Sequence, residues 1–227
     1  MESRWSDAGA RKFVAENAAR WGEDLALRVY SARLLGEDPA LVLHGGGNSS
    51  VKTSFRDLFG EETAGAFVKA SGFDMASIGF EGFPGLALDQ LKRLRRLSSL
   101  TDAEMEREVR RCLFDPHAAT PSIEASVHAF IPAKFIDHTH ADAILTLTNQ
   151  KDGKRLTEEA LGNDVIILDY VTPGFDLAKA AAEAFERHPG RAGMVWLKHG
   201  VVTWGESAQA SYEAMIRLVT KAEDFAA

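Results

Sequence analysis

His138-Thr-His140 places two imidazoles two positions apart. In an extended strand residues i and i+2 project from one face, so both rings converge on one point. Paired imidazoles suit zinc, with other first-row divalent metals open as well. Taken alone, the pair equally suits a satisfied core histidine beside a surface one. His199, in Lys198-His199-Gly200 after the apolar run 194–197, shifts that balance. Three imidazoles with a fourth position open make the catalytic form of a zinc site. Glu124 stands in Pro121-Ser-Ile-Glu-Ala-Ser-Val-His128, where the spacing predicts a helix opening at Pro121-Ser122 and closing at Pro132. A carboxylate in a first helical turn is favoured by the helix dipole in any case. Its functional reading is a general acid/base within reach of the metal. His128, four residues on and on the same helical face, reads as a buried partner behind the ligands rather than as a ligand.

Two small-residue loops could hold an anion. His44-Gly45-Gly46-Gly47-Asn48-Ser49-Ser50 lets the backbone approach a ligand closely and aim several N–H groups at it; a flexible turn is the plainer alternative. Lys69-Ala70-Ser71-Gly72 follows the next strand and offers a cation, a hydroxyl and a flexible backbone together.

The elements that must position these residues follow from periodicity. Residues 7–35 read as two helices broken near Trp21-Gly22, and Leu41-Val-Leu43 as a short buried strand feeding the glycine loop. Residues 50–53 and 66–69 read as strands around a turn. Leu88, Leu91, Leu94 and Leu97 share one helical face, and Thr101-Asp-Ala-Glu104 has the form of a capping box. Phe135-Ile136 leads as a strand into the His-x-His pair. Residues 165–168, 193–197 and 201–204 complete the strands, with helices at 176–187 and 207–225. The link between the last two strands is too short for a parallel crossover, so they form a hairpin. The result is an α/β domain with a mixed, partly antiparallel sheet.

At 227 residues the chain can bury one substantial core. Its net charge of −7 disfavours a general nucleic-acid binder while leaving room for local anion binding. Cys112 is the only cysteine, which excludes an internal disulfide and a thiolate metal cluster and reads as an apolar filler. No segment has signal-peptide or membrane-spanning character, so a cytoplasmic protein without a membrane partner is expected. The last helix stops without a capping glycine or polar tail, which suggests a domain of something longer. Competing motifs fail on spacing. His138-Thr-His140-Ala-Asp142 continues with Ala143 where a metallo-β-lactamase pattern needs histidine. The His-Gly-Gly-Gly run has no Gly-x-Ser-x-Gly elbow to serve.

In order, a Gly-Asn-x-Ser loop, a Ser-Gly loop, a Ser-x-Glu turn, His-x-His and His-Gly resemble the class II aldolase/adducin family over most of the chain. The wording around Tyr30–Asn48, Ala70–Asp74 and Phe135–Ala143 looks closest to the branch in which an aldolase domain is fused to a C-terminal short-chain dehydrogenase, the bifunctional rhamnulose-1-phosphate aldolases. The resemblance implies a three-layer α/β/α fold around a mixed, largely antiparallel sheet. It implies zinc, or another divalent metal, on His138, His140 and His199, with Glu124 catalytic. It places Gly47, Asn48, Ser71, Gly72 and Ser122 around the substrate phosphate, and Tyr170 as a proton donor reaching a neighbouring subunit of a homotetramer; a half-buried strand-end aromatic is the alternative for Tyr170. The activity implied is cleavage of a ketose 1-phosphate, with L-rhamnulose 1-phosphate suggested by the branch, to dihydroxyacetone phosphate and an aldehyde through an enediolate. Epimerases and decarboxylases of the same fold, and adducin-like scaffolds that have lost the metal residues, are the alternatives. One departure stands out: Ile123 occupies the middle of Ser-Ile-Glu, where the phosphate-binding aldolases carry a second serine.

Overall fold

Burial of every residue in β4 (Phe135–Thr139) marks it as a central strand covered on both faces. In the computed structural model, which describes residues 1–227, it lies in a seven-stranded sheet of order β3-β2-β1-β4-β7-β6-β5. The other strands are β1 (Asn48–Arg56), β2 (Glu62–Val68), β3 (Gly85–Ala87), β5 (Val165–Leu168), β6 (Gly193–Trp196) and β7 (Gly200–Gly205). Only β5 and β6 run parallel; every other neighbouring pair is antiparallel, including the expected β6–β7 hairpin.

Helices cover both faces, giving the three-layer α/β/α sandwich. One face carries α2 (Glu23–Gly36), α6 (Asp142–Thr148), α7 (Gly153–Leu161) and α9 (Ala208–Ala226), with α1 (Asp7–Trp21) against α2. Its core includes Leu35, Val51, Phe135, Tyr212 and Val219. The other face carries α3 (Leu88–Arg93), α4 (Asp102–Arg111), α5 (Ala125–Phe130) and α8 (Phe175–Arg187), packed around Ile136, Val127, Ala178, Trp196 and Val202. No helix is long and apolar enough to cross a membrane. Thr101 and Glu104 form the capping box of α4, and Cys112 is buried in the second core.

Three expectations need correction. Leu41-Val-Leu43 is not a strand: Leu41 and Val42 are buried in a turn, while Leu43 is 58% exposed and takes no part in the sheet. Two inward apolar residues suit a turn packed on a core as well as a strand, and only a pairing partner would separate them. The leucine stripe is helical only to Arg93, then tightens into a 3₁₀ turn that leaves Leu97 in solvent. The helix expected from Pro121 begins at Ala125, because residues 120–122 are tied to the Ser-Gly loop through an isolated bridge between Ala70 and Pro121. Glu124 is therefore its N-cap rather than a first-turn residue.

Alternation along β4 divides the chemistry. His138 faces α5, and Asp137 faces α2 and α9, where Arg28 Nη2 approaches its Oδ1 to 2.6 Å and Ser211 Oγ donates to Oδ2 at 2.5 Å. Both members of this ion pair are fully buried. The Arg28 guanidinium also donates to the Ser50 and Ile136 carbonyls, pinning α2 to β1 and β4. Removing one partner strands the other charge in the core, which typically costs about 3–5 kcal/mol. Arg28→Met should lower unfolding stability by that order in a denaturant titration. Arg28→Met with Asp137→Leu should recover part of the loss.

Candidate metal centre

Register brings the site together. Asn48 on β1 lies directly opposite His138 on β4, and Val202 on β7 flanks it on the other side. Both glycines nearest the cluster are required by close approach. A Cβ on Gly47, which sits at φ +60, would meet the His138 carbonyl at 2.7 Å. One on Gly200 would lie 2.4 Å from the Thr139 carbonyl and 2.9 Å from the His138 ring. The chain's two non-glycine residues at positive φ, His44 and Lys198, flank the same place. Lys198 (φ 62) forces the turn that delivers His199, whose N–H donates to the Trp196 carbonyl at 3.0 Å. Such conformations concentrate at functional sites.

The three expected imidazoles converge. One nitrogen from each of His138, His140 and His199 lies within 4.8 Å of the other two. The Nε2 atoms of His138 and His140 are 3.1 Å apart. Two nitrogens bound to one tetrahedral zinc at ~2.0–2.1 Å stand ~3.3 Å apart, so the His138–His140 pair is spaced to share one ion. His138 Nδ1 is 3.1 Å from the Val201 carbonyl, which can only accept. The proton therefore sits on Nδ1 and the Nε2 lone pair points into the cluster. Burial pushes His138 down to about 3 and also lowers His140, so both rings are neutral at pH 7 with lone pairs free. Trp196, buried beneath them, packs at 4.8 Å from the His138 ring and 5.0 Å from His199.

Glu124 completes the group. Its Oε1 lies 3.2 Å from His199 Nε2, and its Oε2 lies 3.5 Å from His138 Nε2 and 2.5 Å from Asn48 Nδ2. Burial alone would raise its pKa; the His138 and His199 imidazoles and the Asn48 amide outweigh that and hold it well below the usual carboxylate range. His128 is fully buried behind this constellation, against Ser50 and Asn48, and is not a member of the cluster.

The loops expected to hold an anion also meet. A Cβ on Gly45 would come within 3.0 Å of Gly72 Cα, and Asn48 Nδ2 reaches Ser122 Oγ at 3.2 Å. Ser71 and Ser122 share the wall of a cavity of about 230 Å³ that also takes in Thr120, Ile123 and Arg110. Lys69 is almost wholly buried, with Nζ on the carbonyls of Gly45 at 3.0 Å and Ala70 at 3.3 Å and no carboxylate within ion-pair distance. Tyr170 stands apart, 56% exposed on the loop after β5. Because β5 and β6 are parallel, that loop opens at the His199 end of the sheet.

Comparison with known proteins agrees with this architecture. A Bacillus subtilis protein described as uncharacterized oxidoreductase YuxG is 37% identical over 211 residues, covering 93% of this chain. The chain spans only about a third of that relative's length, 31% of it. The N-terminal class II aldolase domain of a conserved Thermoplasma acidophilum protein superposes with a TM-score of 0.88 at 36% identity, with both chains covered in full. A sugar-phosphate aldolase from Thermotoga maritima shares the fold at TM-score 0.63 and 18% identity, over 87% of this chain and 91% of its own. The family profile described as the Class II Aldolase and Adducin N-terminal domain matches residues 27–225, and the chain belongs to that family.

Proposed function

We propose that this chain is a divalent-metal lyase that cleaves a ketose 1-phosphate to dihydroxyacetone phosphate and an aldehyde, with L-rhamnulose 1-phosphate the first substrate to try. The observation that carries the reading is the set of three imidazole nitrogens within 4.8 Å beside the Glu124 carboxylate. His138, His140 and His199 would hold a divalent ion, zinc by the chemistry of the donor set, which would supply Lewis acidity to the substrate carbonyl. The hydroxyl beyond the scissile bond loses its proton to Glu124, or to Tyr170 of a second copy, as the C–C bond breaks and the aldehyde forms. The electron pair passes to the carbonyl-bearing fragment, and Glu124, where it took the proton, returns it to that fragment's carbon; where Tyr170 took it, the returning proton reaches Glu124 from Tyr170 first. Gly47, Asn48, Ser71, Gly72 and Ser122 hold the phosphate. Tyr170, exposed at the rim of this copy, serves the site of a neighbour in a homotetramer. Metal determination on the purified protein, followed by a screen of ketose 1-phosphates with product carbon counts, tests the reading. Absence of bound metal, or a product set without cleavage, defeats it.

Ile123 favours a second reading. It is 49% exposed and leaves the cradle one hydroxyl short of a Ser-Ser-Glu turn. An epimerase or decarboxylase acting on a differently anchored substrate would use the same metal, and retained or lost carbons identify either.

Lys69 bears on the choice, since a buried ammonium without a carboxylate partner invites an anion. Burial pushes it down to about 8, against the pull of Asp74. The anion-binding form is the protonated one. Affinity for inorganic phosphate should therefore hold below about pH 8 and fall as pH rises through it. A charge-assisted hydrogen bond is worth about 1.5–3 kcal/mol. Lys69→Met should thus weaken phosphate binding by roughly 10- to 100-fold near neutral pH and flatten the alkaline limb, as read by calorimetry.

A further inference from the structure

His128 has no assigned part in the reaction, yet both of its ring nitrogens are engaged. Nδ1 lies 2.7 Å from Ser50 Oγ, and Nε2 lies 2.5 Å from Asn48 Oδ1. Asn48 and Ser50 are i and i+2 on β1 and so face α5 together, and His128 is completely enclosed between them.

The polarity of this chain of contacts is forced from its far end. At that end Asn48 Nδ2 donates to Glu124 Oε2 at 2.5 Å and to Ser122 Oγ at 3.2 Å, so the amide nitrogen faces this side. The Asn48 carbonyl oxygen then faces His128. It only accepts, so His128 Nε2 must carry the ring proton. Burial pushes His128 down to about 3, which makes the ring neutral and leaves Nδ1 bare. Ser50 therefore donates to Nδ1. Reversing any one member would set donor against donor or acceptor against acceptor where no water reaches, and that is the costly arrangement.

We propose that His128 is a positioning residue whose Nε2–H fixes the side-chain amide of Asn48, so that its two N–H donors, rather than its carbonyl, face Glu124 and Ser122. With the amide turned over, two acceptors would meet at the Glu124–Asn48 contact, and the carboxylate would be driven from its place beside His138 and His199. The proposal rests on the roles given above to Glu124 and Asn48, and its first test is independent of turnover.

Long-range ¹H–¹⁵N correlation spectra of the histidine-labelled protein, zinc-free and zinc-loaded, should show His128 protonated at Nε2 and bare at Nδ1. A ring protonated at Nδ1, or at both nitrogens, overturns the proposal even if the protein is an active lyase. Substitution then separates positioning from packing. In His128→Gln the side-chain amide can still donate where Nε2 does; in His128→Asn nothing reaches Asn48. Slow exchange of the Asn48 side-chain amide protons should persist in His128→Gln and be lost in His128→Asn, with zinc content equal in both. If the lyase reading holds, kcat should fall by about 10- to 100-fold in His128→Asn, the usual effect of losing a partner behind a metal site. It should stay within about three-fold of wild type in His128→Gln. The loss should vanish when His128→Asn is made on an Asn48→Ala background, because the two act through one contact. Equal losses in the Gln and Asn variants, or additive losses in the cycle, would show a role in packing alone. An inactive wild-type protein with the expected tautomer and amide protection would instead reject the lyase reading and keep the positioning one.

Discussion

On the proposed function, Glu124→Gln should keep divalent metal and lose about 10²- to 10⁴-fold in turnover. The magnitude is that of a positioned acid/base group, and the amide has the shape of the carboxylate without its ability to exchange a proton at neutral pH. Metal content should stay because the ligand nitrogens belong to the imidazoles, and two of these rings have supports besides Glu124. His138 is oriented by the Val201 carbonyl, His199 by the turn at Lys198, and His138 and His199 both by the Trp196 ring beneath them. Metal analysis alongside steady-state kinetics on a cleaved ketose phosphate reads both halves. Unchanged turnover would remove Glu124 from the chemistry, and lost metal would make it a ligand.

His138→Ala has the other large effect. Of the three rings His138 is the only one fully buried, and it supplies a lone pair whose direction is set by a backbone carbonyl. Binding of a structural zinc is worth about 10–16 kcal/mol across its whole ligand set. One ligand's share of that is roughly 3–5 kcal/mol, which corresponds to about 10²- to 10⁴-fold in metal affinity. Competition with a chelator of known affinity measures the drop. Turnover at limiting metal should fall to the uncatalysed background. Retention of wild-type metal affinity would mean that the ion sits elsewhere, and the proposed function would fail with it.

How much of this was legible in the chain depends on the range of the interaction involved. The His-x-His pair, the tight hairpin whose turn holds His199 and the capping box at Thr101 rest on contacts within a few residues, and periodicity or spacing reveals them. The start of α5 does not, because it is displaced by a bridge to Ala70, some fifty residues upstream. Helices α6 and α7 escaped assignment: α6 is short and β-branched, and α7 is broken from it by a polar turn, so neither has a long stripe to show. Trp196 looked like one more apolar strand residue, although its ring floors the histidine cluster. Lys69 was visible as a loop cation, but its burial against the Gly45 carbonyl depends on two loops meeting, which no local pattern encodes. His128 could be placed behind the ligands from its helical spacing, whereas the direction of its hydrogen bonds required Asn48 and Glu124 to be seen together.

The opposed faces of β4 carry one further consequence. Asp137, locked to Arg28 on one side, and His138, aimed at the metal cluster on the other, are adjacent residues of a strand with period two. A single residue gained or lost within this strand would swap them. It would drive an imidazole into the apolar layer beneath α9 and a carboxylate among the ligands, and would break the ionic anchor in the same stroke. Length change here is therefore closed to gradual drift, and evolution can retune the centre only by exchanging one side chain at a time.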